Sequence, residues 1–532
     1  MSDDKNGNDL DKSKAEGSGD TKDKVKADGS GDTKDKVKAE GSGDTKDKVK
    51  KKGGRNKRWP GRSQGPRKTA GPTAPRLIAM RVVERVQRAG AFADLALHHA
   101  LVQSHMPAAD RGLATELVYG TLRWRGRLDY LISQALDSDF AKLEPLVASA
   151  LRIGAYQLFF SDRIPANAAV DEAVRCVRAM GLERATGLVN AVLRKLAREG
   201  KDITFPSLET DPIGHLVHAC SLPKWLATRW LEQYGAEEAA SLAMTLNEAA
   251  PVTVRVNRSQ TTREALLPKL QERFPDARLG LHGPDAIVIG RKGDIGQDPL
   301  FITGRMSPQD EASQLVVELL DPQPGERILD TCAAPGTKSA AIAERLNGEG
   351  HVLALDRHGR RLSLIGRGTR RLGVGGVATL ERDATKSLKD LAEENGPFDR
   401  ILIDAPCSGL GSLRRNPDAR WRLRVEDLAS LAEVQRKIIE SAADVLRPGG
   451  TLVYSTCTVT PEEIEAVVRG FMATRANWHI ASREEAPECV RPFMDEDGYM
   501  RVLPHLQKNS QAEGPGMDGF FAVRIVRNLP KD

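Results

Sequence analysis

The 532-residue sequence contains no run of eighteen apolar residues, and its opening stretch, MSDDKNGNDLDKSK, lacks the apolar centre of a signal peptide. Neither a membrane-spanning chain nor one exported by that route is expected, which leaves the cytoplasm. Its six cysteines (Cys176, Cys220, Cys332, Cys407, Cys457 and Cys489) are scattered over more than three hundred residues without a CxxC pair. A disulfide scaffold and a zinc site are both disfavoured by that spacing, and no metal is expected. A basic body is also missing. The whole chain carries 79 basic and 73 acidic residues, but residues 1–75 hold 20 and 13 of these, leaving 59 against 60 for residues 76–532. The excess behind a pI near 8.9 therefore belongs to the tail and is not by itself the mark of a nucleic-acid-binding fold.

That tail repeats itself. Lys14–Val25, Lys26–Val37 and Lys38–Val49 read KAEGSGDTKDKV, KADGSGDTKDKV and KAEGSGDTKDKV. A unit with one Val and balanced Lys and Asp buries too little apolar surface to offset backbone ordering, so residues 1–75 are expected to be disordered. The stretch from Lys50 to Lys68 adds nine basic residues and no acidic one. It suits either an arm that condenses onto RNA phosphates or a solubilising tail.

The length is that of several domains. Apolar residues at spacings of three and four in LIAMRVVERVQRAGAFADLALHHAL, PLVASALRIGAYQLFF and RATGLVNAVLRKLARE predict an all-α domain over residues 76–200. Residues 201–249 read as a linker followed by short helices. PVTVRVNRS, TTREALLPKLQERF and DAIVIG give strand, helix and strand, the outline of a small α+β unit within residues 250–310. In residues 311–532, strand and helix patterns alternate from ERILD to EEIEAVVRGFMA, which predicts a parallel, doubly wound sheet with ligands at the carboxyl ends of its strands.

The chemistry is sought at those ends. After ERILD, the turn Thr331-Cys332-Ala333-Ala334-Pro335-Gly336-Thr337-Lys338-Ser339 offers small residues and the free N–H groups of a following helix. It matches neither GxGxxG nor GxxxxGK[ST], so dinucleotide binding and nucleotide hydrolysis are disfavoured. Asp356, ending HVLALD, is placed to accept both ribose hydroxyls of an adenosine-containing ligand, and Asp383 in ERDAT to reach an adenine amino group. Either one alone is more often a helix cap; two in successive strand-end positions favour the ligand. DRILIDAPCSGLG ends its strand at Asp404 and Cys407, and Arg414, Arg415, Arg420, Arg422 and Arg424 with Trp421 follow, opposed only by Asp418. Such a cluster predicts a patch for phosphates and stacked bases, with a solvated face as the alternative. In VYSTCTVTPEE, Cys457 ends another strand, and Thr460 to Glu463 predict a helix start with a capping box, close enough to lower the thiol pKa. A single cysteine is usually buried and inert; beside Cys407 it becomes a candidate nucleophile.

AAPGTKS, DAPCSGLG, VYSTCTVTPEE and the terminal DGFFAVRI together resemble the Sun (RsmB/NOP) family of RNA cytosine-5 methyltransferases. DRGLATELVYGTLRWR and VNAVLRKL resemble the NusB-type RNA-binding domain that bacterial members carry in front of the catalytic unit. The resemblance covers roughly residues 76–527. It implies a Rossmann-like α/β methyltransferase core preceded by a small α+β domain and an all-α NusB-like domain. It also implies S-adenosylmethionine as cofactor, with Cys332, Ala333, Ala334, Pro335, Gly336, Thr337, Lys338, Asp356, Asp383 and Asp404 lining its site. Cys457 is then the nucleophile and Cys407 the residue that helps release product. The implied substrate is small-subunit (16S) ribosomal RNA, free or in an assembly intermediate, acted on by a monomer. The same chemistry on another RNA such as tRNA, or a non-catalytic RNA-binding or assembly factor, are the alternatives; a methyltransferase for proteins or small molecules fits the arginines and paired thiols poorly. One departure is Thr337, where the commonest family motif has a second Gly. A β-branched residue there requires a backbone that is not left-handed, and Thr is expected to cap the following helix.

Overall fold

The computed structural model describes residues 73–290, 295–506 and 516–530. The repeats and the basic run of residues 1–72 lie outside the described residues. Among those described, no helix is long and apolar enough to cross a membrane.

Among the described residues, seven α-helices come first: Ala74–Ala89, Ala93–Ser104, Ala108–Arg123, Arg125–Ala135, Pro145–Phe160, Ala166–Ala179 and Thr186–Glu199. Their apolar positions follow one face each, as with Val189, Val192, Leu193 and Leu196 of the seventh. The fifth helix is the exception, buried continuously from Val147 to Gln157 because the others pack around it. The charge this traps, Arg152, is met by both carboxylate oxygens of Asp129 at 2.5 and 2.9 Å.

The segment expected as a linker followed by short helices does contain such helices, and they are packed. Helices Lys224–Tyr234 and Ala236–Thr245 place Leu226, Trp230 and Leu242 in one apolar cluster with Leu410, Leu413, Leu428 and Val459 of the C-terminal domain. The small α+β unit contains the expected strands, β1 (Val252–Val256) and, after the helix Arg263–Gln271 and a two-residue β2 (Arg278–Leu279), β3 (Ala286–Gly290). A fourth, β4 (Met306–Pro308), completes an antiparallel sheet of order β2-β3-β1-β4.

The large sheet is built from β5 (Arg327–Asp330), β6 (His351–Asp356), β7 (Val377–Glu381), β8 (Phe398–Asp404), β9 (Leu446–Thr456), β10 (Trp478–Ile480), β11 (Tyr499–Val502) and β12 (Phe520–Arg527). Its order is β10-β12-β9-β8-β5-β6-β7, with β11 also on β12. Strands β5 to β9 are parallel, as alternation with helices predicts, and the order reverses between β5 and β8. β12 runs antiparallel to β9, and β10 and β11 pair antiparallel with β12, a difference from the expected parallel sheet. Here the chain returns through β10 and β11 without a helical crossover into β12.

Just before β12, two glycines let separate segments touch. Gly519 N–H donates to Gly411 O (2.9 Å), and Gly411 N–H donates to Cys457 O (3.0 Å). A Cβ on Gly519 would stand 2.7 Å from Gly411 Cα, and one on Gly411 would stand 2.2 Å from Gly519 O. Gly519→Ala should therefore lower thermal stability by about 1–3 kcal/mol through overpacking of backbone on backbone. Gly112→Ala, on an exposed helical position where an added Cβ meets nothing within 4 Å, should be neutral or raise stability by about 1 kcal/mol. Equal melting shifts in the two variants would contradict this packing.

Candidate active site

Five carboxyl-terminal strand ends converge. From β5 the chain passes through Thr331 to Gly336 into the helix Thr337–Leu346. Gly336 occupies the cap position at φ 102°, where a Cβ would press on Ile365 at 3.0 Å. Thr337 takes the first helical position and is not left-handed, as expected, but it does not cap the helix; Gly336 stands there and no side chain bonds the free N–H groups. Ala333 and Ala334 add almost no bulk, and burial pushes the Cys332 thiol up to about 12.

The acids are arranged strand by strand. Asp356, ending β6, is buried, accepts from His358 N–H (2.9 Å) and pairs with Arg361 (3.1 Å). Asp383 lies two residues beyond β7, where the hydroxyl and N–H of Thr385 (2.7 and 3.0 Å) hold its pKa below the ordinary carboxylate value. Asp404 ends β8, receiving Lys338 Nζ at 2.7 Å on one oxygen and Ser455 Oγ at 3.1 Å on the other. Asp330, ending β5, escaped the sequence reading although ERILD has the same apolar-run-then-Asp form. It is buried, accepts from Ser339 Oγ at 2.7 Å, and burial raises its pKa to about 7. Its other oxygen has no hydrogen-bond partner among the described residues.

The two cysteines meet. β8 and β9 run parallel with Asp404 opposite Ser455, so the loops leaving them are neighbours, and Cys407 Sγ lies 3.4 Å from Cys457 Sγ. Glu463 ties these loops together. Its Oε1 accepts from Ser408 N–H (2.8 Å) and Gln435 Nε2 (3.1 Å), and its Oε2 from the Thr460 (2.7 Å) and Thr458 (3.3 Å) hydroxyls. The expected capping box is therefore not formed. Pro461–Glu463 is a 3-10 turn, the α-helix begins only at Glu465, and Thr460 bonds the Glu463 carboxylate instead of a backbone N–H.

The two thiols are driven apart in acidity. The hydrogen bond from Cys407 outweighs burial and the Asp404 charge to hold Cys457 below the ordinary thiol value, helped by Lys338 and Ser412. Cys407 is pushed well above it by donating to Cys457 and by burial. Of the pair, Cys457 is therefore the thiol that ionises more readily and Cys407 the one that keeps its proton.

The sequence carries the same assembly as known proteins. A family model described as 16S rRNA methyltransferase RsmB/F matches residues 317–525. The NusB family matches residues 73–198, and the ferredoxin-like domain of RsmF/B-type methyltransferases matches residues 222–296. The probable ribosomal RNA small subunit methyltransferase B of Bacillus subtilis (strain 168) is 37% identical over 84% of this chain and 98% of the relative. The chain belongs to the RsmB/F family. The ribosomal RNA small subunit methyltransferase B of Pseudomonas putida is similar at 35% identity over 85% of this chain and 98% of that protein. The crystal structure of PH0851 shares the fold, with a TM-score of 0.69 and 24% identity over 85% of this chain and 99% of that one.

This family uses S-adenosylmethionine, and the residues present fit such a group. Gly336 keeps the turn free of side-chain bulk at an uncapped helix N-terminus. Asp330 keeps a buried acceptor oxygen without a partner, and carboxylates stand at the next two strand ends.

The arginines after Cys407 differ from expectation. Arg414 is buried against Asp518 (2.6 Å), and Arg415 bonds Asp518 (2.5 Å) and Asp310 (2.8 Å), whose charges outweigh burial and raise its pKa. Arg420 is fully buried, bonds Asn247 Oδ1 (2.7 Å), and is lowered to about 9 by burial. Arg422 pairs with Asp418 (2.8 Å) under the Phe92 ring, and Trp421 donates to Leu122 O (2.7 Å). Of the set, Arg424 alone is exposed without an ion pair among the described residues. The cluster fastens the NusB-like helices to the catalytic loop; its counter-charges come from Asp310 and Asp518, about a hundred residues away along the chain.

The hydrogen-bonded pair makes a prediction. Removing the donor in Cys407→Ala should raise the Cys457 pKa and cut its alkylation by iodoacetamide near neutral pH. Cys407→Ser, which keeps a hydroxyl donor, should stay near wild type. Alkylation of Cys457, followed by peptide mass spectrometry across pH, reads the midpoint; unchanged midpoints in both variants would contradict the assignment.

Proposed function

We propose that the protein methylates carbon 5 of a cytosine in 16S ribosomal RNA, free or within a small-subunit assembly intermediate, through a covalent adduct with Cys457. The observation that carries this reading is the pair of cysteine sulfurs 3.4 Å apart beside Asp404 and Lys338 at the ends of β8 and β9. Cys332, Ala333, Ala334, Pro335, Gly336, Thr337 and Lys338 form the cofactor loop, with Asp356 for the ribose, Asp383 for the adenine and Asp404 at the reacting end. When bound there, S-adenosylmethionine supplies an electrophilic methyl group.

Carbon 5 of cytosine is too weak a nucleophile to take that methyl unaided. The Cys457 thiolate adds to carbon 6, forming an S–C bond and moving an electron pair onto carbon 5. Lys338 offsets the negative charge this places on the ring, and Asp404 accepts from the polar edge of the base. Once carbon 5 is methylated, its proton must leave so that the double bond re-forms and the S–C bond breaks, returning Cys457 as thiolate. Cys407 is suited to take that proton, directly or through water, once it has given up its own and become a thiolate. Its pKa is raised chiefly by its hydrogen bond to Cys457. That hydrogen bond vanishes while Cys457 is bonded to carbon 6, so the Cys407 pKa falls, its proton passes to water, and the resulting thiolate accepts the carbon 5 proton and ends as a thiol again. The target base must leave its stack at a cost of a few kcal/mol.

Mass spectrometry of 16S rRNA from cells with and without the gene tests the reading. One 5-methylcytosine should disappear on deletion, return with the wild-type gene, and stay absent with Cys457→Ala. An unchanged set of 5-methylcytosines would overturn it.

A further inference from the structure

With the predicted arginine patch turned inward except for Arg424, a second group of arginines stands out. From Arg357 to Leu380 the chain has six arginines and no acidic residue. Most of them sit on the helix Gly359–Leu372, whose Leu362, Ile365, Thr369 and Leu372 face the core. Arg361 and Arg371 are fastened, the first to Asp356 and to Ala334 O (2.8 Å), the second to the backbone of Phe301 and Met306 in the small α+β unit. Arg360, Arg367 and Arg370 are exposed, and their guanidiniums have no ion pair or hydrogen bond among the described residues. At 1.5 Å per residue they stretch over about 15 Å of helix.

Two further features belong to the same helix. Gly366 and Gly368 sit in its interior, where glycine disfavours the helix relative to Ala. Packing does not demand them: a Cβ on Gly368 meets nothing within 4 Å, and one on Gly366 meets only the flexible end of Arg370 at 3.4 Å. They keep the surface low between the arginines. The helix also borders the cofactor loop, since Arg361 holds Ala334 and Ile365 packs under Gly336.

We propose that this exposed face of the helix Gly359–Leu372 seats the phosphate backbone of the RNA substrate, through Arg360, Arg367 and Arg370. The inference rests on the reading of the protein as an RNA methyltransferase and adds the surface that holds the substrate. Charge complementarity selects the partner, because planar guanidiniums without internal counter-ions match phosphate oxygens.

The test compares the full-length wild type with Arg360→Gln/Arg367→Gln/Arg370→Gln and with the triple Lys variant, using a 16S rRNA transcript. Affinity is measured across salt concentrations, with kcat and KM for RNA. The Gln variant should bind at least tenfold more weakly at physiological salt. Its plot of log affinity against log salt should be shallower by about 2, as expected for three lost single-strand phosphate contacts at about 0.7 each. The loss should fall on KM for RNA, and the Lys variant should keep most of the salt slope. A Gln variant with wild-type affinity and slope, in a preparation whose wild type methylates the transcript, would overturn the proposal and leave the function intact. A wild type that neither binds nor methylates the transcript would overturn both.

Discussion

Two hydrogen-bonded sulfur atoms 3.4 Å apart set the terms for the rest of the structure. A thiol pair left to itself in a buried site would stay protonated, since burial disfavours both anions. Here ionisation is eased at Cys457, because of its hydrogen bond with Cys407 and the nearby Lys338, whereas Cys407 lacks comparable help. The contact exists only because β8 and β9 are adjacent parallel strands and because Glu463 gathers both loops with four hydrogen bonds. The Gly411 and Gly519 backbones close the same region from β12. Moving either loop by an ångström would return two ordinary buried thiols.

The NusB-like helices are tied to this arrangement through the stretch that follows Cys407. Trp421 bonds Leu122 O, Asp418 accepts from Ala93 N–H (3.3 Å), and Arg123 donates to Arg414 O (2.8 Å). Contacts of this kind make the first domain and the catalytic loop one packed body. The loop that carries Cys407 is thereby held in a fixed relation to Cys457.

Much of this was legible in the residues. Apolar runs ending in Asp, followed by small residues, marked β5, β6 and β8, and the two cysteines pointed to neighbouring strand ends. Other parts were hidden for physical reasons. β7 is an edge strand whose residues are largely exposed, so VATLE offers no buried run to read. The arginine cluster looked unopposed because Asp310 and Asp518 reach it only through the fold. Thr460 and Glu463 have the spacing of a capping box, yet Glu463 is drawn to Ser408 and Gln435, partners no local pattern announces. Asp330 had the same signature as Asp356 and was passed over.

The central claim is that Cys457 forms the bond to RNA and Cys407 serves its release. It is tested most directly by incubating each alanine variant with 16S rRNA transcript and S-adenosylmethionine and separating the products under denaturing conditions. The account predicts a denaturant-resistant protein–RNA adduct for Cys407→Ala, formed more slowly near neutral pH but persistent, and none for Cys457→Ala. An adduct with Cys457→Ala, or normal turnover by both variants, would contradict it.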